Sequence, residues 1–77
     1  MRLLNSVLIE GVVSCDPIVS QDDCEFSISH ERDGKVLSYT VGARQGICQA
    51  CTPGRSIRVV GSLGDGIINA EHIEVKP

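Results

Sequence analysis

Asn5-Ser6-Val7-Leu8-Ile9-Glu10-Gly11-Val12-Val13 is the stretch that decides the fold, and Pro53-Gly54-Arg55-Ser56-Ile57-Arg58-Val59-Val60-Gly61-Ser62-Leu63 answers it near the end of the chain. Each is an apolar run rich in β-branched residues with a glycine inside it. A glycine within a strand pattern marks a bulge or sharp bend, the device by which a small barrel turns its corners. The other reading makes Gly11 and Gly61 turn residues that each split two strands. It fits less well, because β-branched residues stand on both sides of each glycine.

Working outward, the first run covers about residues 6–14 and stops at Cys15-Asp16-Pro17, since proline cannot donate to a strand ladder. In the second run, Cys24 to Glu31, Cys24, Phe26 and Ile28 alternate with Glu25, Ser27 and Ser29, a period of two with one buried face. Asp33-Gly34 is a strong hairpin signal. The third run, Lys35 to Arg44, sets Leu37, Tyr39, Val41 and Ala43 on one parity. Gly46 to Cys51 has room for a turn or two of helix. A fourth run, Ser56 to Leu63, a tight turn at Gly64-Asp65-Gly66 and a fifth run, Ile67 to Val75, complete the chain. This predicts an all-β protein: one domain over residues 1–77, a five-stranded, partly open Greek-key barrel of the OB (oligonucleotide/oligosaccharide-binding) type, with a short helix between strands three and four.

Composition narrows the partners. A chain of 77 residues buries only roughly 60% of the surface its unfolded form exposes, so a staple or an oligomer would help it. The formal net charge of −3 provides no global attraction for nucleic acid, and any anion site must be a local cluster. Phe26 and Tyr39 are the only aromatic residues of the Phe, Trp and Tyr class. No apolar stretch reaches the ~20 residues of a membrane span. Met1-Arg2-Leu3-Leu4 begins like a signal peptide, but Asn5, Ser6 and Glu10 interrupt the apolar segment. The expectation is a cytoplasmic protein without a membrane partner, its four cysteines reduced.

The chain resembles the bacterial single-stranded-DNA-binding protein family, shortened to its OB domain. The residues that carry the resemblance are Asn5, Val7 to Ile9, Gly11 and Asp16-Pro17 at the start, and Phe26-Ser27-Ile28 in the second run. Gly54 through Leu63 and the closing Ala70-Glu71-His72-Ile73-Glu74-Val75 carry it in the later runs. The departures are in the accessories. The helix is cut down, a bare turn replaces the long hairpin between strands four and five, and no acidic-tipped tail follows. The family's stacking positions fall near His30, Ser38 and Arg44, where no Trp or Phe stands.

Binding single-stranded DNA needs a basic groove and flat side chains on which bases stack, each stack contributing about 1–3 kcal/mol. Among the basic residues, Arg2, Arg32, Lys35, Arg44, Arg55 and Arg58 are available. The expected nucleic-acid-binding residues are His30, Arg32, Lys35, Tyr39, Arg44 and Arg58. Arg32 and Lys35 flank the Asp33-Gly34 turn, and a guanidinium can stack as well as pair with phosphate. Against this, Tyr39 shares the parity of Leu37 and Val41 and reads as a core ring with its hydroxyl at the rim. His30 reads equally as a barrel-end residue, and Asp22, Asp23, Glu25, Glu31 and Asp33 crowd the same region. Cys48-Gln49-Ala50-Cys51 is a C-x-x-C pair, but zinc wants four ligands and no second such pair exists. No metal or other cofactor is expected, and Cys48 with Cys51 stands as the alternative metal pair. No nucleophile motif stands beside His30 or His72, so no enzymatic activity is expected.

The expected function is therefore non-sequence-specific binding of single-stranded DNA, with RNA as the alternative ligand. The affinity per domain is expected to be weak, the setting DNA replication, repair or recombination, and the assembly a homodimer or homotetramer. The competing reading is a protein-interaction or oligomerisation module that kept the barrel and lost the ligand, with the apolar first strand as its working surface.

Overall fold

The computed structural model describes residues 6–76; Asn5 and the basic candidate Arg2 lie outside them. Seven elements follow in order: β1 (Ser6–Val13), β2 (Ile18–Ser20), β3 (Asp23–Arg32), β4 (Lys35–Arg44), α1 (Gln45–Cys48), β5 (Ser56–Gly64) and β6 (Ile67–Val75). Five of the strands form a ring. β1 pairs with β5, β5 with β6, β6 with β4, β4 with β3, and β3 returns to β1. All these pairings are antiparallel except β4 with β6. This is the Greek-key OB barrel, and it is closed rather than partly open. The closing seams are short: Val12 and Val13 against Ser29 and Ile28, and Thr40 to Gly42 against Ile67 to Asn69.

The alternations place the core as their parity requires. Cys24, Phe26 and Ile28 on β3, Val41 on β4, Ile57 and Val59 on β5, and Ile68 on β6 are buried. Leu37 has the inward parity but is 41% exposed, because the β3–β4 hairpin runs past the end of the barrel and has nothing there to face. Its turn uses Asp33 and Gly34 with φ of 54° and 77°, and Asp65-Gly66 repeats this geometry at 54° and 76° between β5 and β6. Positive φ at both central residues is what a two-residue type I′ hairpin demands. Among the described residues, no helix is long and apolar enough to cross a membrane.

Gly11 and Gly61 stand where the backbone of another strand approaches. A Cβ at Gly11 would lie 2.6 Å from the Ser29 carbonyl oxygen, and one at Gly61 would lie 2.1 Å from that of Asn69. The β5–β6 register shifts between Val60 and Gly61: Val60 faces His72 and Gly61 faces Ala70, which leaves Glu71 as the extra residue of a bulge. β2 is an addition to the expected strands. Ile18 to Ser20 pair with Glu25 to Asp23, a run too short to show a period.

The cysteines correct the expectation of reduced thiols. Cys24 and Cys48 are joined by a disulfide, with Cα atoms 6.6 Å apart and 24 residues of sequence separation. Register brings them together: Cys24 lies opposite Ala43, and one turn of α1 beyond Arg44 swings Cys48 back over β3. Cys48 is therefore committed to Cys24 and not to Cys51. Cys51 is a buried free thiol that donates to the Ile47 carbonyl at 3.9 Å, and Cys15 is free and exposed. Burial pushes the Cys51 thiol pKa up, which makes it a poor nucleophile and ligand. Among the described residues, no group of three or more His, Cys, Asp or Glu is placed to hold a metal ion.

Gly61→Ala is expected to cost about 3 kcal/mol by overpacking, seen as a melting temperature lower by roughly 12 °C or more. Gly46→Ala is the control: its Cβ would meet nothing within 4 Å, so stability stays level or rises slightly. Alkylation under denaturing, non-reducing conditions should label two cysteines, and four after reduction. Reduction should lower stability by about 3 kcal/mol through the freed chain entropy of the unfolded state. Labelling of all four cysteines before reduction would remove the bridge from the structure.

Candidate functional site

β1 pairs with β3 only through Val12 and Val13. Its earlier residues stay on β5, while the β3–β4 hairpin continues past the barrel end. The wall opens between them into a cleft of about 540 Å³, within the range of small-molecule and base-sized sites. Val7 and Ile9 form its apolar side, and His30, Arg32 and Tyr39 come from the hairpin arm. Glu10 and Arg58 form the side across β1 and β5.

His30 donates from Nδ1 to the Glu10 carbonyl oxygen at 2.7 Å. That bond fixes the ring and leaves Nε2 as an acceptor in the neutral imidazole. Its ring centroid lies 6.5 Å from that of Tyr39, with the planes tilted by 55°. Tyr39 is half-buried and packs against the core, as its parity predicts, yet it also lines the cleft. One edge of the ring thus belongs to the core and the other to the opening. Arg32 is 76% exposed, with Asp33 at 4.0 Å, a surface pair of little energetic weight. Lys35 stands opposite Arg32 in the hairpin register.

The four charges across β1, β5 and β6 form a chain. Glu10 lies opposite Arg58, and Arg58 opposite Glu74. Arg58 donates to Glu10 Oε2 from Nε at 2.8 Å and from Nη2 at 2.7 Å. Lys76 Nζ reaches the same oxygen at 2.5 Å, and Arg58 Nη1 lies 3.5 Å from Glu74. Hydrogen bonding from Lys76, and then from Arg58, holds the Glu10 carboxyl below the usual carboxylate range. Arg58 is correspondingly pushed above its ordinary value, chiefly by Glu10.

Four of the six expected site residues thus meet in one cleft: His30, Arg32, Tyr39 and Arg58. Lys35 sits beside it on the hairpin. Arg44 does not join them. It ends β4, about 30 Å along the strand from Lys35, where it lines a separate groove of about 330 Å³ with Gly42 and Asn69. The outer face of β3 and β4 carries cross-strand hydroxyl pairs, Ser29 with Ser38 and Ser27 with Thr40, and no ring stands on that face among the described residues. Sequence reasoning missed Glu10 and Lys76. Glu10 could have been found by treating β1 and β5 as neighbours, because Glu10 and Arg58 have the same outward parity.

Three solved structures share this architecture. The N-terminal domain of the PriB protein from Thermoanaerobacter tencongensis, described as dimeric, is 16% identical, covers 95% of this chain and 97% of its own, and superposes with a TM-score of 0.83. The second single-stranded-DNA-binding protein, SSBb, from Mycobacterium smegmatis is 19% identical over 94% of this chain and 88% of its own, at 0.77. The Plasmodium falciparum SSB, in a complex with single-stranded DNA, is 17% identical over 97% and 95%, at 0.67. No protein-family model matches the chain, and no curated protein sequence does. At these identities the likeness establishes the OB fold.

The depressed Glu10 pKa fixes the sign of an acid dependence. A carboxyl with a lowered folded-state value contributes stability that is fully present above its unfolded value, near 4.5, and is lost as pH falls through the folded value. Thermal melts from neutral to acid pH should show the wild type above Glu10→Gln near neutrality, with the gap closing as pH falls below about 4.5. A gap that stays constant down to pH 2 would mean that the ion pairs contribute nothing.

Proposed function

We propose that the chain is a single-stranded-DNA-binding module, without sequence preference and weak per domain, serving DNA replication, repair or recombination. The observation that carries this reading is the cleft. It joins two rings, Tyr39 and His30, to an exposed cation, Arg32, with Lys35 opposite Arg32 in the hairpin. An unpaired base stacks on the part of the Tyr39 ring that faces the cleft and meets the His30 ring. Arg32 and Lys35 meet the phosphates on either side of that base. Arg44, at the far end of β4, contacts the strand separately where it leaves the barrel. Arg58 makes no phosphate contact in this state, because Glu10 and Glu74 hold it. Two of the structures of like fold support the reading: one is a complex with single-stranded DNA and the other a single-stranded-DNA-binding protein. The ligand is bound rather than transformed.

Self-association accompanies this role. Leu8 and Val60 are registered neighbours on the outer face of β1 and β5, 63% and 40% exposed. A second copy packed on that apolar face gives a homodimer, in keeping with the dimeric state named for the PriB domain.

Anisotropy titration with labelled oligothymidylate at low salt should give micromolar affinity. Tyr39→Ala should weaken it about 5- to 100-fold, the loss of one stacked base. Arg32→Ala with Lys35→Ala should flatten the salt dependence by about 0.7 of a log–log unit per phosphate contact removed. Absence of binding at tens of micromolar protein would overturn the function. Binding that ignores Tyr39, Arg32 and Lys35 together would move the site elsewhere.

A further inference from the structure

Three cationic N–H groups converge on one oxygen. Arg58 Nε and Nη2 lie 2.8 and 2.7 Å from Glu10 Oε2, and Lys76 Nζ lies 2.5 Å from it. A guanidinium offering two donors and an ammonium offering a third is the donor set that holds a phosphate oxygen. Glu10 and Arg58 line the same cleft as Arg32 and Tyr39, and Glu74, the other carboxylate on Arg58, does not. We propose that Arg58 and Lys76 form a phosphodiester site that Glu10 keeps occupied from within the chain, so that the Glu10 carboxylate sets how tightly the module holds nucleic acid. The inference rests on the nucleic-acid reading of the cleft.

The physical consequence lies in ion release. An oxyanion arriving at a free Arg–Lys pair displaces counterions, and affinity gains from their release. Here it must first displace a carboxylate that already satisfies both cations. One ion pair is exchanged for another and little is gained. The four charges Glu74, Arg58, Glu10 and Lys76 sum to zero, so the cluster presents no net attraction while Glu10 is ionised. Removing the Glu10 charge leaves Lys76 with no carboxylate partner among the described residues, and Arg58 keeps only its longer contact to Glu74 at 3.5 Å.

Glu10→Gln preserves the size of the side chain, and Glu10→Ala serves as a second variant should the first not fold. Oligothymidylate titration in a phosphate-free buffer should show the variant binding about 5- to 20-fold tighter at low salt. Its salt dependence should steepen by about 0.7 to 1.4 log–log units, one or two added phosphate contacts. Arg58→Ala should cost the wild type less affinity than it costs the Glu10→Gln variant, where it abolishes most of the gain; that non-additivity is the signature of a masked site. In parallel, thermal stabilisation by inorganic pyrophosphate is measured on the wild type, Glu10→Gln and the double variant. Only Glu10→Gln should be stabilised. If wild type and Glu10→Gln bind oligothymidylate equally, with equal salt slopes, the masked site is overturned and the nucleic-acid reading stands. If neither binds the oligonucleotide but pyrophosphate stabilises Glu10→Gln through Arg58, the anion site stands and the nucleic-acid reading falls. Failure of both assays overturns both.

Discussion

Barrel closure depends on two places where backbone meets backbone with no room for a methyl group. At Gly11 the neighbour is the Ser29 carbonyl, and at Gly61 it is that of Asn69. A small barrel must turn each strand sharply to close, and a sharp turn forces close approach on its inner side. Gly61 lies where the β5–β6 register shifts, and Gly11 lies just before β1 begins to pair with β3. The hydrophobic residues then fall into place by parity, with Ile28, Val41, Ile57 and Val59 fully buried.

The cleft is a by-product of the same closure. β1 divides its pairing, staying on β5 along its length but reaching β3 only at its last two residues. The β3–β4 hairpin outlasts the barrel, so its final turns have one side with nothing to pack against. Tyr39 and His30 sit where this overhang begins, which is why a ring of core parity also faces an opening. The charge chain follows from strand adjacency as well: Glu10, Arg58 and Glu74 are registered neighbours on the outer face of β1, β5 and β6, and Lys76 joins them from just past the end of β6.

Much of this was legible in the residues. Period-two alternation and Asp-Gly turns are local signals, and they located five strands, two hairpins and the core. The strand glycines pointed to the barrel's corners for a steric reason that the structure bears out. Elements that needed pairing information were not legible. β2 is too short for a period and exists because β3 offers it an edge. The Cys24–Cys48 bond depends on the β3–β4 register and the direction of one helical turn. The site was half legible. His30, Arg32 and Tyr39 meet because they share the hairpin arm, whereas Arg44 was grouped with them by residue type and strand, and strand length carries it away. Arg58 reads as a binding cation in the sequence, because its partners Glu10 and Glu74 stand on two other strands.

The Cys24–Cys48 bond has a consequence for the hairpin it spans. Residues 24–48 form a covalent loop whose exposed tip is the Asp33-Gly34 turn. A protease that severs the chain at that tip separates nothing: the two halves remain one molecule, still stitched at the base. The projecting arm is therefore a segment that can be nicked without being shed.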